Sequence, residues 1–139
     1  KIKEVVYKPA VQESVVSNIP LDEAHKIEYM IQVIGKAHAL LNVDLEKAAL
    51  YYHEVKFLYE FLPKGDQDHV HNKVINLADE LNLKHVQKLV DKAVIELAHN
   101  NKDNAHEIYD HIVEEFEKLS ESHKQKVYKK CCEIALHLK

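Results

Sequence analysis

The chain has 139 residues, of which 46% are hydrophobic and 30% charged, enough for one ordinary domain and too few for two large ones. Its 2 glycines and 3 prolines are less than half of what average usage gives, which argues against turn-rich all-β folds, collagen-like sequence and glycine-rich phosphate loops. The net charge of −4 makes the chain a poor candidate for binding nucleic acid through phosphate neutralisation.

Residues 1–19 differ in composition from the rest of the chain. β-favouring residues recur in this segment: Val5, Val6, Tyr7, Val15 and Val16. We expect an extended arm that contains at most one short strand and ends at Pro20. Because a lone strand is not stable by itself, the arm must pack on the helices, pair with another chain or remain mobile.

After Pro20 the apolar residues recur at helical spacing. This pattern predicts an all-α fold of about six antiparallel helices with short loops, spanning roughly 20–42, 45–62, 66–81, 84–99, 102–119 and 120–138. Pro63-Lys64-Gly65 and Asn100-Asn101 predict turns. Asn82-Leu83 is either a tight break or a kink in one longer helix.

The two halves of the helical region are similar in sequence when one is shifted by 57 residues. The match needs no gap from about residue 40 onward, and most matched positions lie on the predicted core faces, as in Leu40/Leu97 and Tyr52/Tyr109. We interpret this match as an internal duplication of three-helix units over 20–82 and 83–139, packed as one helical domain.

Leu89, Ala93, Ala105 and Tyr109 resemble the small-residue and aromatic pattern of a tetratricopeptide helical hairpin, in which a small residue on each helix lets the two backbones approach closely. The resemblance covers the helices predicted over 84–99 and 102–119. The spacing of 57 departs from that family's 34 because a third helix is inserted, and in this respect the units are similar to microtubule-interacting-and-trafficking domains. Both resemblances imply a non-catalytic module that holds peptides or helices.

The helix predicted over 45–62 is apolar nearly all round, unlike its aligned copy. Outside the shared core face it carries Leu50, Tyr51, Phe57, Leu58 and Phe61, which align with Glu107, Ile108, Glu114, Glu115 and Lys118. A helix of this kind must be buried on more than one side. The cover is the rest of the bundle, the valine-rich arm, or a partner helix or second copy of the chain. We take these five residues as candidate partner-binding residues, and the arm residues named above as the arm's contacts.

The 11 histidines do not predict a metal site. No two of them are three or four residues apart, the spacing that places two ligands on one helix face. Glu96-Leu97-Ala98-His99 matches a di-iron motif once, without a counterpart in the other half. We therefore expect no metal and no cofactor, and we interpret the histidines as a pH-sensitive surface.

Cys131 and Cys132 are the only cysteines, and being adjacent they form no disulfide framework, which favours a reducing, intracellular (cytoplasmic) compartment. No apolar run is long enough to span a membrane, and no catalytic arrangement of side chains can be argued from spacing. The sequence therefore predicts a non-enzymatic protein–protein interaction or assembly module. The alternatives are a structural subunit that self-assembles through its N-terminal arm and a metal-binding helical protein.

Overall fold

The computed structural model describes residues 23–139, which are helical apart from short connections and contain no strand. The expectation of an all-α fold is thereby confirmed for this part of the chain. The predicted arm, residues 1–19, lies outside the described residues. Five helices follow in chain order: α1 (Glu23–Leu40), α2 (Leu45–Glu60), α3 (Lys64–Ala98), α4 (Lys102–Phe116) and α5 (Glu121–His137).

Helix α3 is continuous through Asn82-Leu83, so the described residues form five helices where the sequence predicted about six. Of the two possibilities that the sequence left open, the longer helix is adopted, and it runs for 35 residues. The physical reason is burial. Asn82 is fully buried and Leu83 is 3% exposed, and neither residue is one of the strong helix breakers, glycine and proline.

Contacts along the chain divide it into two compact units. Unit 1 ends at Leu81, and unit 2 comprises Asn82–Lys139. Helix α3 therefore contributes its first half, up to Leu81, to unit 1 and its second half, from Asn82, to unit 2. The sequence placed the division one residue later, between 82 and 83.

The described part of unit 1 is built on a hairpin of α1 and α2. The connection ends at Asp44, whose Oδ1 accepts a hydrogen bond from the backbone N–H of Lys47 at 3.1 Å and so caps the start of α2. Apolar residues at helical spacing on α1, α2 and the first half of α3 form one buried cluster. Its fully buried side chains include Met30, Tyr52, Val55, Val70, Val74 and Leu77.

Unit 2 has its own buried cluster, formed by the second half of α3 with α4 and α5. It contains Val86, Val90, Ala93, Ile112, Val127 and Ile134. Helix α3 is followed, two residues after Ala98, by a left-handed residue, Asn100, with φ 59°. The N–H of Asn100 bonds the carbonyl of Leu97 at 3.1 Å, and the N–H of Asn101 bonds that of Glu96 at 2.8 Å. This pair of bonds is the Schellman ending of a helix, with asparagine in place of the usual glycine.

Candidate functional site

An apolar stripe runs along the edge of the exposed side of α2. Leu50, Phe57 and Phe61 are separated by seven and four residues, which places them within a sector of about 40° around the helix axis. We call these three residues the α2 stripe. Phe57 is 49% exposed and Phe61 is 65% exposed, whereas Leu50 is half-buried. The two phenyl rings contact each other with centroids 4.9 Å apart and planes tilted by 58°, an attractive arrangement for aromatic pairs.

Two of the five predicted partner-binding residues do not join this stripe. Leu58 is 8% exposed and belongs to the buried cluster of unit 1, and Tyr51 is partly buried against that cluster. The expectation that Leu58 faces a partner is therefore wrong. Leu58 is one residue from Phe57, which turns it by about 100° towards the core. The predicted arm contacts, Val5, Val6, Tyr7, Val15 and Val16, lie outside the described residues.

Local hydrogen bonds hold the end of α2 in place. Phe61 is the C-terminal cap, and its backbone N–H bonds the carbonyl of Leu58 at 3.1 Å. The next residue, Leu62, is buried, so the chain is anchored immediately after Phe61. On the preceding turn, Tyr59 Oη lies 3.0 Å from His71 Nδ1, and the carbonyl of Tyr59 accepts from Gln67 Nε2 at 2.9 Å. The aromatic pair therefore stands on a well-anchored helical turn.

Directly beside the stripe, where α2 faces α1, the helix carries a buried carboxylate. Glu54 is 4% exposed, and its Oε2 accepts a hydrogen bond from Tyr29 Oη at 2.5 Å. This hydrogen bond, followed by burial and by the negative charge of Glu54, raises the pKa of Tyr29 to about 12. The hydroxyl therefore stays protonated and remains a donor throughout the physiological range. The contact ties the middle of α1 to the middle of α2.

The corresponding face of α4 is charged. Fifty-seven residues after Leu50, Phe57 and Phe61 the chain has Glu107, Glu114 and Lys118, and all three are exposed. An apolar stripe at this position is therefore a feature of α2 alone. The surroundings of the α2 stripe are polar, with Glu46 and Glu60 exposed on the same helix.

Sequence reasoning missed a groove in unit 2, between the second half of α3 and α5. It has a volume of about 370 Å³ and is walled by Val94, Leu97 and Ile134, with Lys130 and Glu133 at its polar side. Val94 is 46% exposed although it lies on a helix whose other valines are buried. Val94 is apolar but lies outside the core face that the helical spacing predicts, and this is the signal in the sequence that could have indicated the groove.

Metal-ligating side chains are not clustered in the part of the chain that the structure describes. Among residues 23–139, no three His, Cys, Asp or Glu side chains are grouped closely enough to hold a metal. Cys131 and Cys132 are free thiols, and burial raises the pKa of the half-buried Cys131, which makes it a weaker nucleophile. None of the helices in the same range has the length and apolar character needed to cross a membrane.

Comparison with known proteins does not place the chain in a family. The chain matches no protein-family model, no curated protein and no solved structure.

His85, on the second half of α3, makes unit 2 sensitive to acid. Burial of the ring, followed by the positive charges of Lys92, Lys88 and His111, lowers the pKa of His85 from 6.5 to about 4. The unfolded chain therefore binds a proton at a higher pH than the folded chain does. The stabilising contribution is fully present above about pH 6.5 and is lost as the pH falls towards 4.

We expect His85→Gln to flatten the fall of unfolding free energy between pH 6.5 and pH 4. The difference from wild type should be about 1–2 kcal/mol over this window, after allowance for solvent screening of a ring that is not fully buried. Urea unfolding followed by circular dichroism at a series of pH values measures it. An unchanged pH slope in the variant would mean that His85 titrates alike in both states.

Proposed function

We propose that this chain is a non-enzymatic protein–protein interaction module built from two three-helix repeats, and that the α2 stripe is its contact surface. The observation that carries the proposal is the pair Phe57 and Phe61, 49% and 65% exposed, in mutual contact on an anchored helix end. Large apolar side chains grouped on a surface are typical of sites that contact other proteins.

Helix positions support the repeat. Leu45 and Lys102 begin α2 and α4, and Lys64 and Glu121 begin α3 and α5, so both pairs of helices start 57 residues apart. Buried residues of α1 match buried residues in the second half of α3 at a spacing of 56. The matched pairs are Met30/Val86, Ile34/Val90 and Ala37/Ala93. Seven residues separate Ala37 from the start of α2 and eight separate Ala93 from the start of α4, which accounts for the change from 56 to 57.

The difference between the repeats supports a role for the stripe outside the fold. If the repeat needed apolar residues at these positions to fold, both copies would carry them. The aligned positions hold Glu107, Glu114 and Lys118 instead, and the first two lie on the exposed face of α4, which packs through Ala105 and Ile112. We therefore attribute the apolar residues of α2 to contact with another segment.

The spacing of the stripe indicates the kind of partner. Residues at i, i+7 and i+11 form a line along one helix face, which suits an amphipathic helix packed alongside α2. Each Phe offers a large apolar area at a small cost in side-chain entropy. The partner that fits is therefore a helical segment with an apolar face of two or three turns.

A display library of amphipathic helical peptides tests the proposal. We expect selection on the wild-type chain to give binders whose affinity falls at least about thirtyfold when Phe57→Gln and Phe61→Gln are combined, since the loss of two aromatic anchors costs about 2 kcal/mol or more. The matched control combines Ile95→Gln and Val113→Gln, which are 55% and 47% exposed on other helices. Binders that lose no more affinity on the first pair than on the control pair would overturn the proposal.

Sedimentation equilibrium separates this function from the alternative of a self-assembling subunit. The interaction module is expected to keep the mass of one chain across a hundredfold range of concentration. A mass that grows with concentration, and that returns to one chain when residues 1–19 are deleted, would instead support assembly through the arm.

A further inference from the structure

The described structure begins beside the aromatic end of α2. The connection between α1 and α2 is short, 41–44, so the two helices form an antiparallel hairpin. Tyr29 and Glu54 are in register, because their side chains are hydrogen-bonded. At about 1.5 Å of rise per residue, Glu23 lies about 9 Å from Tyr29 along the hairpin, and Phe61 lies about 10 Å from Glu54 in the same direction. Glu23, the first described residue, therefore lies at the level of Phe61 along the hairpin.

The chain that precedes Glu23 is long enough to cover the stripe. Leu50 and Phe61 are separated by about 16 Å along α2. Residues 5–16 can span up to about 40 Å, and residues 17–22 add up to about 20 Å of connection. A segment joined this closely to its site is present at an effective concentration on the order of millimolar, far above the concentration of a second copy in most solutions.

The chemistry of this segment matches the stripe. Val5, Val6, Tyr7, Val15 and Val16 form two apolar groups in this segment, with Val11 between them. Residues 5–16 contain one Lys, Lys8, and one Glu, Glu13, so they carry no net charge onto the apolar stripe. The match between the segment and the stripe is therefore one of apolar area, offered on both sides.

We propose that residues 5–16 bind the α2 stripe of their own chain and compete there with the partner helix. The identity of the competitor, a partner helix, rests on the proposed function. The contact between residues 5–16 and the stripe does not depend on that function. The N-terminal segment then acts as an autoinhibitory contact. A partner is bound only when it displaces the segment, and the apolar surface is covered when no partner is present.

Cross-linking within the full chain tests the contact without any partner. Cys131→Ser and Cys132→Ser remove the native thiols, and Val16→Cys is then combined with Glu60→Cys, next to Phe61. The matched control pairs Val16→Cys with Glu28→Cys, which is exposed on α1 and nearer to residue 16 along the chain. With a short bismaleimide reagent, we expect the Glu60 pair to link within one chain at least about tenfold faster than the Glu28 pair.

The same cross-link in the Phe57→Gln, Phe61→Gln background distinguishes binding from simple proximity. We expect the tenfold advantage of the Glu60 pair to disappear there, because the apolar site is gone. Equal rates for the two pairs in the wild-type background, or an advantage that survives loss of both phenylalanines, overturns the proposal. Cross-links found only between chains would show that the arm of a second copy, and not of the same chain, binds the stripe.

Competition with the partner has a separate readout. Val15→Glu with Val16→Glu is expected to raise the affinity of the selected helical peptides at least about threefold, because the competitor is weakened. A peptide that binds both forms equally, beside a positive cross-link, would overturn the competition and leave the proposed function standing. If no selected peptide depends on Phe57 and Phe61 for its affinity, the proposed function is wrong, whatever the cross-linking result.

Discussion

Replacing Lys84 with proline is expected to remove about 3 kcal/mol or more from the free energy of unfolding. Residue 84 lies inside α3, where proline removes the hydrogen bond from its own N–H and its ring clashes with the carbonyl four residues earlier. If a helix began at this position, as the sequence suggested, proline would be tolerated, because the first turn of a helix has no intrahelical partner for that N–H. Urea unfolding followed by circular dichroism measures the loss.

The matched control for this prediction is Lys102→Pro. Lys102 is the first residue of α4, and the residue before it, Asn101, has φ −91° and ψ 67°, outside the α-helical region. Proline at such a position is compatible with the helix and with the residue that precedes it. We expect Lys102→Pro to change the unfolding free energy by less than about 1 kcal/mol. Similar effects of the two substitutions would contradict a continuous α3.

Tyr29→Phe is expected to destabilise unit 1 by about 1.5–3 kcal/mol, the range for removing a hydrogen bond to a charged, buried group. Glu54 is 4% exposed, and removal of the Tyr29 hydroxyl takes away the donor 2.5 Å from its Oε2 while changing little of the apolar packing. Tyr128→Phe, at a position 61% exposed, serves as the matched control and should cost less than about 0.5 kcal/mol.

A double-mutant cycle tests whether the cost of Tyr29→Phe comes from Glu54. We expect Tyr29→Phe and Glu54→Gln to couple by at least about 1 kcal/mol, since each removes one side of the same hydrogen bond. Thermal and urea unfolding of the two single variants and the double variant give the coupling. Additive effects would show that the two side chains act independently.

Much of the fold could be predicted from sequence because it follows from helical periodicity. The scarcity of glycine and proline leaves few places where the chain can turn, and Asp44 caps α2 as expected from its position. Asn82-Leu83 was harder to interpret. A polar residue followed by an apolar one is compatible with a break or with a continuous helix, and burial of both side chains decides between them.

The candidate site could be predicted only in part, for a similar reason. Phe57 and Phe61 stand out because their counterparts in α4 are charged, and this comparison needs no structure. Leu58 also differs from its counterpart, Glu115, yet it is buried in unit 1. Periodicity indicates which residues share a helix face, but the packing of neighbouring helices decides how far the buried sector extends to either side.

The most direct test of the account is the unfolding free energy of the chain that combines Phe57→Gln with Phe61→Gln. Glutamine keeps the helix propensity high and adds no charge near the helix end. If the two rings serve contact rather than the core, the variant unfolds cooperatively with a loss of about 1 kcal/mol or less. A loss of more than about 3 kcal/mol, as for aromatic residues removed from a core, would contradict the central claim that the α2 stripe is a binding surface.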